Sequence, residues 1–464
     1  MPLLPDLSAW LTEAAAKHEV PGAAVAVGVG DDLAEAATGV LNRDTGVETT
    51  PASLFQIGSA GKVWTAALVM QLADDGLIEL DQPVRRYLPD FAVASARAAE
   101  TVTVRQLLLH TGGFDGDVFE DTGRGDDALD RYLAILHDKA GQVFPPGTHF
   151  SYCNSGYSVL GALVARLRGA TWETVTRERL VEPLGMRHTA LFAEEAILFR
   201  AAAGHVRGEV VPRWQFPRSI GPAGGAPAVA PRDLVRLGRM FLAGGTASDG
   251  TRLLSADAVT AMTSPQLTLP GVAERGARQR GLGPVLFDWD GTPAYGHDGD
   301  TIGQATLWRV VPGHDLVIAV GANSASSTGL FDDLLDAIVA EVTGRTVPAR
   351  PTPPVTPPRP GPQRYAGRYE FPLAVYDVVA TDSGFDVTSQ ARGIAAALDE
   401  NPATDAYVHL SGSTYITAEP VDGSHSTLTF LDDGRYLYGG RVAARVSGAL
   451  PGPRSQPVPQ ARRA

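Results

Sequence analysis

The chain has 464 residues, of which 44% are hydrophobic and 20% are charged, and its formal net charge is −13. These values are typical of one large folded domain with a smaller one and exclude an intrinsically disordered protein. The negative charge argues against a nucleic acid or an anionic membrane as a partner, because both bind clustered lysine and arginine side chains.

Cysteine content and hydropathy further restrict the cellular location of the protein and the kinds of site that it can form. The one cysteine, Cys153, permits neither an intrachain disulfide nor a thiolate metal cluster. Residues 1–20 lack a basic segment followed by an apolar one, and no run of about 18 apolar residues occurs later. We therefore expect a cytoplasmic protein with no signal peptide, no membrane span, no metal and no cofactor.

Residues 6–18 have apolar side chains at helical spacing, and the two strand patterns GAAVAVGVG and LAEAATGVLN follow, joined by a turn at residues 30–32. A helix-rich stretch runs from Ser59 to about residue 260. Strand patterns return in LGPVLFDWDG, QATLWRVVP and DLVIAVGAN, and residues 329–343 carry an apolar helical stripe. Strands at both ends of this region predict an α+β domain in which one sheet is flanked by helices.

A proline-rich stretch divides the chain. Eight prolines lie between Pro348 and Pro362, a composition typical of a polyproline II spacer. We predict a first domain over residues 1–346, a linker over 347–363 and a second domain over 364–450. Short alternating segments after the linker predict a small antiparallel β-barrel. Residues 451–464, rich in proline and arginine, are expected to form a disordered tail.

The first chemical motif is Ser59-Ala60-Gly61-Lys62, followed by an apolar helix. Ser59 is expected at or near the N-cap of that helix, with Lys62 one turn later on the same side. A neutral lysine amine at this position can accept the serine proton. The alternative is a capping serine next to a solvated lysine, since this short motif also occurs by chance.

Two further motifs follow. Tyr152-Cys153-Asn154 enters a helical pattern, so that Tyr152 could relay a proton and Asn154 could donate to a substrate carbonyl. The alternative is a buried tyrosine next to an asparagine helix cap, with Cys153 as a small packed residue. In His297-Asp298-Gly299, His297 could be a proton donor or a cationic wall, and Gly299 would let a ligand backbone approach an edge strand.

The three motifs in this order resemble those of the serine β-lactamase and penicillin-binding-protein superfamily, S-x-x-K, Y-x-N and K-T-G or H-x-G. The resemblance is strongest to the class C β-lactamase-like branch and extends over about residues 8–345. It includes the stretches TVRQLLLHTGGF, FPPGTHFSYCNSGYSVLGALVARL and LVEPLGMRHT. It implies an antiparallel sheet flanked by helices, with an all-helical subdomain.

The resemblance also implies residue roles. Ser59 would be the nucleophile, Lys62 the adjacent base, Tyr152 the proton relay, Asn154 and Gly299 substrate-binding residues, and His297 the replacement for the lysine of the third motif. The backbone N–H groups of Ser59 and Asp300 would form the oxyanion hole. Histidine instead of lysine, with no Lys or Arg next to it in the sequence, favours an esterase or peptidase over an efficient β-lactamase.

The second domain resembles the lipocalin-like domain of penicillin-binding-protein-type thioesterases, which macrocyclise non-ribosomal peptides. Arg441, after two glycines, matches an arginine that lies near the active site of those enzymes. The alternative is that Arg441 pairs with Asp432 or Asp433 on the barrel surface.

The predicted function is hydrolysis of an ester or amide through an acyl-Ser59 intermediate, on a D-amino-acid-containing peptide or a small ester. The first alternative is a peptide cyclase of the thioesterase type, whose partner would be a non-ribosomal peptide synthetase carrier protein. The second is a penicillin sensor that is acylated without turnover, which the presence of the complete motif set disfavours.

Overall fold

The computed structural model describes residues 3–355, 359–393, 396, 401–421 and 423–446. The chain forms two compact units, residues 1–350 and residues 351–464. The predicted tail over residues 451–464 lies outside the described residues. In the described part of the chain, no helix is long and apolar enough to cross a membrane.

The helices of the first unit are α1 (Leu7–Lys17), α2 (Lys62–Asp74), α3 (Ala96–Thr101), α4 (Val104–Leu108), α5 (Ala128–Lys139), α6 (Asn154–Arg168), α7 (Trp172–Thr176), α8 (Ala193–Ala196), α9 (Pro231–Leu242), α10 (Ala256–Thr263) and α11 (Thr328–Thr343). Its strands are β1 (Gly22–Val29), β2 (Asp32–Asn42), β3 (Val47–Glu48), β4 (Phe55–Gln56), β5 (Thr189–Ala190), β6 (His205–Val206), β7 (Glu209–Val210), β8 (Ala228–Val229), β9 (Leu267–Thr268), β10 (Ala277–Arg280), β11 (Val285–Trp289), β12 (Thr292–Asp300), β13 (Ala305–Val311) and β14 (Leu316–Ala322).

The predicted α+β fold is confirmed. Nine strands form one antiparallel sheet in the order β3-β2-β1-β14-β13-β12-β11-β10-β9, so that the two ends of this unit meet where β1 pairs with β14. The remaining strands of this unit form a separate three-stranded sheet, β4-β8-β5, and the β6-β7 hairpin. The segment between β4 and β9 contains α2 to α10, which agrees with the helix-rich stretch that its sequence pattern predicts.

The large sheet separates two apolar cores because side chains alternate along each strand. Val25 and Ile318 face one core, where they pack with α1 and α11. Ala26 and Val317 face the opposite core, which contains α2, α6 and α9. The continuous apolar run of β14 is explained by this arrangement, since every residue of that strand is buried.

The second unit is a closed eight-stranded antiparallel barrel. Its strands are β15 (Gly367–Phe371), β16 (Ala374–Thr381), β17 (Gly384–Ala391), β18 (Ala403–Ser411), β19 (Thr414–Thr417), β20 (Thr427–Leu431), β21 (Tyr436–Tyr438) and β22 (Val442–Val446). The interior is aromatic, with Tyr365 and Phe430 stacked at 4.3 Å. The predicted small barrel is therefore confirmed.

The proline-rich segment packs more closely than its composition suggests. Val347 is 3% exposed and belongs to the core beneath α11, and Arg350 forms a two-pronged ion pair with Asp332. At the other end, the amide of Gly361 donates to Thr381 O of the barrel over 3.0 Å. The spacer is thus shorter than the predicted 347–363, because both of its ends are held by the unit that they adjoin.

Candidate active site

Ser59 lies in a single 3₁₀ turn, Gly58–Gly61, between β4 and α2. The helix begins at Lys62, and its N-cap is Gly61. Ser59 therefore lies near the N-cap, as expected, two residues before it, and the alternative in which Ser59 itself caps the helix is wrong. The predicted pairing of the two side chains is present, because Lys62 Nζ donates to Ser59 Oγ over 3.0 Å.

Lys62 is fully buried, which contradicts the alternative of a solvated lysine. Its Nζ also donates to Ala223 O over 2.7 Å and lies 4.8 Å from the centroid of the Tyr152 ring. A buried amine held by two oxygen atoms has little freedom to move. The environment therefore directs Nζ to the hydroxyl of Ser59.

The turn that carries Ser59 packs directly against β12. A Cβ atom at Gly299 would lie 1.9 Å from Ile57 O and 2.7 Å from Ser59 N, so no larger residue fits. Gly58 has φ +49, and a Cβ there would lie 2.6 Å from Asp300 N. These two glycines bring the backbone of residues 299–300 against that of Ser59. Gly299 therefore makes room for the nucleophile's own turn, and the expectation that it admits a ligand backbone is not supported.

The strand β12 lies inside the large sheet, between β11 and β13, so the expectation of an edge strand is wrong for the strand as a whole. Its two pairings differ in length, however. Pairing with β11 ends at Gly296, while pairing with β13 continues through Asp300. Residues 297–300 therefore have a strand on one side only, which leaves a local edge next to Ser59.

Tyr152 and Asn154 stand at the start of α6. The N-cap is Cys153, whose buried Sγ accepts from Gly156 N over 3.2 Å, which confirms it as a packed residue. Asn154 is the first helical residue and not the cap. Its Nδ2 donates to Asp117 Oδ1 over 2.7 Å, so a carboxylate orients the amide. The Tyr152 ring lies 6.2 Å from that of His297, centroid to centroid.

His297 is buried and its protonation pattern follows from one contact. Nδ1 lies 2.6 Å from the carbonyl oxygen of Asp298, which only accepts, so Nδ1 carries the proton. Nε2 is buried, and none of the described residues hydrogen-bonds to it. Burial, followed by the charge of Arg280, lowers the pKa of His297 well below its ordinary value. The lowered pKa argues against the expected cationic wall, and a role of His297 as a proton donor stays a prediction.

The sequence motifs did not reveal Arg280, the last residue of β10. It is 2% exposed, donates to Gly283 O over 2.6 Å, and its Cζ lies 6.0 Å from the centroid of the Tyr152 ring. The absence of a neighbouring cation was inferred from residues adjacent in sequence to His297, and the sheet places Arg280 nearby instead. No signal in the sequence distinguishes this arginine from surface ones.

Asp300 and Arg441 complete the predicted set. The Asp300 side chain is exposed, but the surrounding protein and the charge of Asp298 raise its pKa to about 6. Arg441 lies in the turn between β21 and β22, and its charge acts on Tyr376 of the barrel. Asp433, one of the two surface partners considered for Arg441, pairs with Arg364 at 2.6 Å.

Comparisons with known proteins identify the family of the chain. The family model described as Beta-lactamase matches residues 7–343. The chain belongs to the beta-lactamase family. Penicillin-binding protein 4 of Amycolatopsis lactamdurans is 45% identical to it over 361 residues, which cover 76% of this chain and 94% of that protein. The family places the protein among hydrolases.

Solved structures extend the likeness to both units. The crystal structure of SurE has a TM-score of 0.76 and 29% identity, and the match covers 95% of this chain and 98% of that one. The D-amino acid amidase of Ochrobactrum anthropi SV3 has a TM-score of 0.59 and 23% identity, covering 72% and 98% of the two chains. The amidase matches in fold alone.

Proposed function

We propose that this beta-lactamase-family protein is a serine hydrolase that forms an ester between Ser59 Oγ and the acyl group of its substrate. The single observation that supports this most strongly is the 3.0 Å contact between Lys62 Nζ and Ser59 Oγ. A catalytic base must lie within hydrogen-bond reach of the proton that it removes, and this amine does. Full burial favours the neutral form of the amine, which is the form that accepts a proton.

In the proposed reaction, Ser59 Oγ attacks the substrate carbonyl while its proton passes to the Lys62 amine or the Tyr152 oxygen. Which of the two is the first base stays open. The negative charge on the carbonyl oxygen is bound by the N–H groups of Ser59 and Asp300. The carbon–leaving group bond then breaks and the leaving group takes the proton. Water repeats the sequence on the ester and releases the acid, which restores Ser59.

We propose D-amino-acid-containing peptides or small esters as the substrates. The support comes from a second crystal structure of SurE, with D-Leu, which has 28% identity and a TM-score of 0.74 over 95% of this chain. A site in that relative that holds a D-amino acid makes the same stereochemistry the first choice here. The name of the relative from Amycolatopsis lactamdurans indicates penicillin as a second acylating group.

A peptide cyclase is the second candidate, and the eight-stranded barrel favours it. The match to SurE includes the barrel as well as the first unit, as the resemblance to penicillin-binding-protein-type thioesterases implies. In a cyclase, the amine at the other end of the bound peptide replaces water as the acyl acceptor. The substrate would then be a peptide thioester on a non-ribosomal peptide synthetase carrier protein, with Arg441 as a ligand for its carbonyl or carboxylate groups.

The test of the substrate class compares D- and L-leucine p-nitrophenyl esters, with Ser59→Ala as the control for background hydrolysis. We expect kcat/KM for the D-ester to exceed that for the L-ester by about tenfold or more, since a pocket built for one configuration leaves the other poorly oriented. Equal values would reject the D-specific assignment and leave the acyl-Ser59 mechanism standing. Stable acylation by penicillin without ester turnover would favour the sensor alternative.

A further inference from the structure

His110 makes three contacts with Tyr152 and the residues on either side of it. Its carbonyl oxygen accepts from Ser151 N over 3.0 Å, and its ring Nδ1 accepts from Cys153 N over 3.0 Å. The residues on both sides of Tyr152 are therefore bound to this one histidine. Its ring also stacks on the Tyr152 ring, with centroids 4.5 Å apart and planes at 22°.

The backbone of His110 is in an unusual conformation. Its φ is +59, a left-handed value that is disfavoured for a residue with a Cβ atom. It directly follows the end of α4, and the side chain is buried among the rings of Tyr152, Tyr157 and Phe150. A conformation of this kind persists when surrounding contacts require it, and such positions concentrate near functional groups.

The hydrogen bond from Cys153 determines the protonation of the ring. Because Nδ1 accepts an N–H, the proton of the neutral ring lies on Nε2, which is buried and to which no described residue hydrogen-bonds. The charged and titratable groups around the ring are Lys62 from α2, Arg280 from β10, His297 from β12 and Tyr157 from α6. Burial, followed by the charge of Arg280, lowers the pKa of His110 well below its ordinary value, so the bond from Cys153 is retained throughout the neutral pH range.

We propose that His110 is a positioning residue that holds the Tyr152 phenol in its proton-transfer position through the Cys153 hydrogen bond and the ring stack. The proposal rests on the proposed function, because it assigns His110 a role only through Tyr152. A tyrosine that carries protons between Ser59, Lys62 and a leaving group must keep its oxygen within hydrogen-bond reach of each. Without the His110 side chain, the segment over residues 151–153 loses the Cys153 hydrogen bond and the stack, and that geometry is relaxed.

Three variants separate the two contacts. In His110→Asn, the Oδ1 atom can accept from Cys153 N and asparagine tolerates the left-handed backbone, but the ring stack is lost. In His110→Phe the stack is kept without an acceptor, and His110→Ala removes both contacts. The measurement is the pre-steady-state burst of p-nitrophenol from a short p-nitrophenyl ester, with circular dichroism and Tm recorded for each variant.

The decisive experiment is a double-mutant cycle with Tyr152→Phe, which removes the phenol oxygen but keeps the ring. We expect His110→Ala to slow acylation by about tenfold or more in the wild-type background and by less than about twofold in the Tyr152→Phe background. The second effect is small because His110 acts through the Tyr152 oxygen, which Tyr152→Phe has already removed. His110→Asn should recover a measurable part of the rate. If His110→Ala does not fold, the same cycle is run with His110→Asn and His110→Phe.

Equal slowing in both backgrounds, or unchanged acylation in a folded His110→Ala, would overturn the positioning role and leave a structural one. Mass labelling of wild-type Ser59 with a fluorophosphonate distinguishes this failure from failure of the proposed function. A labelled Ser59 with an additive cycle rejects only the role of His110, whereas an unlabelled Ser59 rejects the acyl-enzyme itself.

Discussion

Lys62 Nζ and Ser59 Oγ are 3.0 Å apart, although the two residues lie in different local structures, a helix and the 3₁₀ turn before it. The lysine is fully buried and is also held by Ala223 O, whereas Ser59 is half-buried. A buried proton acceptor next to an accessible hydroxyl is the arrangement that nucleophilic catalysis by serine requires.

Lys62→Arg should reduce kcat/KM for p-nitrophenyl butyrate nearly as strongly as Lys62→Ala, by about 10²- to 10⁴-fold at pH 7, the range typical of a lost general base. Arginine keeps the positive charge but cannot lose its proton, and its longer planar head does not fit a fully buried amine position. Lys17→Arg is the matched control, because Lys17 is exposed and pairs with Asp333 on the surface. Near-wild-type turnover of Lys62→Arg would contradict the base assignment.

Asp300→Asn should raise Tm at pH 7 and have no such effect at pH 4. The pKa of Asp300 is raised to about 6 in the folded protein, so the folded state binds a proton more tightly than the unfolded one. Stability therefore falls as pH rises from about 4 to about 6, and stays lower above that range. Removing the carboxyl group abolishes this loss.

Thermal unfolding scans between pH 4 and pH 8 measure this difference. Asp249→Asn is the control of opposite sign, because a hydrogen bond from Thr251 N lowers the pKa of Asp249. It should give no gain in Tm at pH 7. A difference between wild type and Asp300→Asn that does not change with pH would contradict the raised pKa.

Short p-nitrophenyl esters should be turned over faster than cephalosporins. The neutral ring of His297 supplies no charge for a β-lactam carboxylate, and the guanidinium of Arg280 is buried and donates to Gly283 O. Comparing kcat/KM for p-nitrophenyl butyrate and nitrocefin tests this directly. A preference of about tenfold or more for the cephalosporin, more than about 1 kcal/mol of discrimination, would identify a β-lactamase instead.

Removal of the barrel tests the cyclase candidate. The cut belongs after Arg350, because Val347 and Arg350 are part of the first unit. If Arg441 binds substrate, this truncation and Arg441→Ala should lower turnover of a linear peptide thioester with a C-terminal D-residue, and leave p-nitrophenyl butyrate almost unchanged. Contacts far from the scissile bond orient a large substrate, and a small ester does not make these contacts.

Arg392→Ala is the matched control in that experiment, since Arg392 pairs with Glu370 of the barrel. Separation of products by mass distinguishes the cyclic peptide from the linear acid. Linear acid alone from a range of peptides would reject the cyclase, and unchanged peptide kinetics after truncation would reject any part for the barrel in catalysis.

Local sequence patterns predict most of the fold, because apolar periodicity and turn residues are visible within short stretches of sequence. The stripe of α11 and the continuous apolar run of β14 both appear as predicted. The packed ends of the linker were not predictable from composition. Proline content indicates an extended backbone but does not show that Val347 enters a core formed by residues far away in the chain.

Some residues of the candidate site could also be predicted from the sequence, and others could not. Ser59 and Lys62 lie one turn apart, so the sequence determines their contact almost by itself. Arg280 reaches the site only through the pairing of β10, β11 and β12, and such long-range neighbours leave no local signal. The neutral state of His297 depends on burial and on that arginine, and Asp298 O determines which ring nitrogen carries the proton, so the sequence alone could not give either. His110 lies in the stretch TVRQLLLHTGGF, which resembles the family, but only its contacts with Tyr152 indicate a role.

Intact-mass spectrometry with a fluorophosphonate probe tests the central claim most directly, because it detects the covalent bond on Ser59 independently of the natural substrate. The account predicts one adduct per wild-type chain, located on the peptide that contains Ser59, and none on a Ser59→Ala variant with an unchanged circular dichroism spectrum. An adduct of equal stoichiometry on Ser59→Ala would contradict the account and place the nucleophile elsewhere.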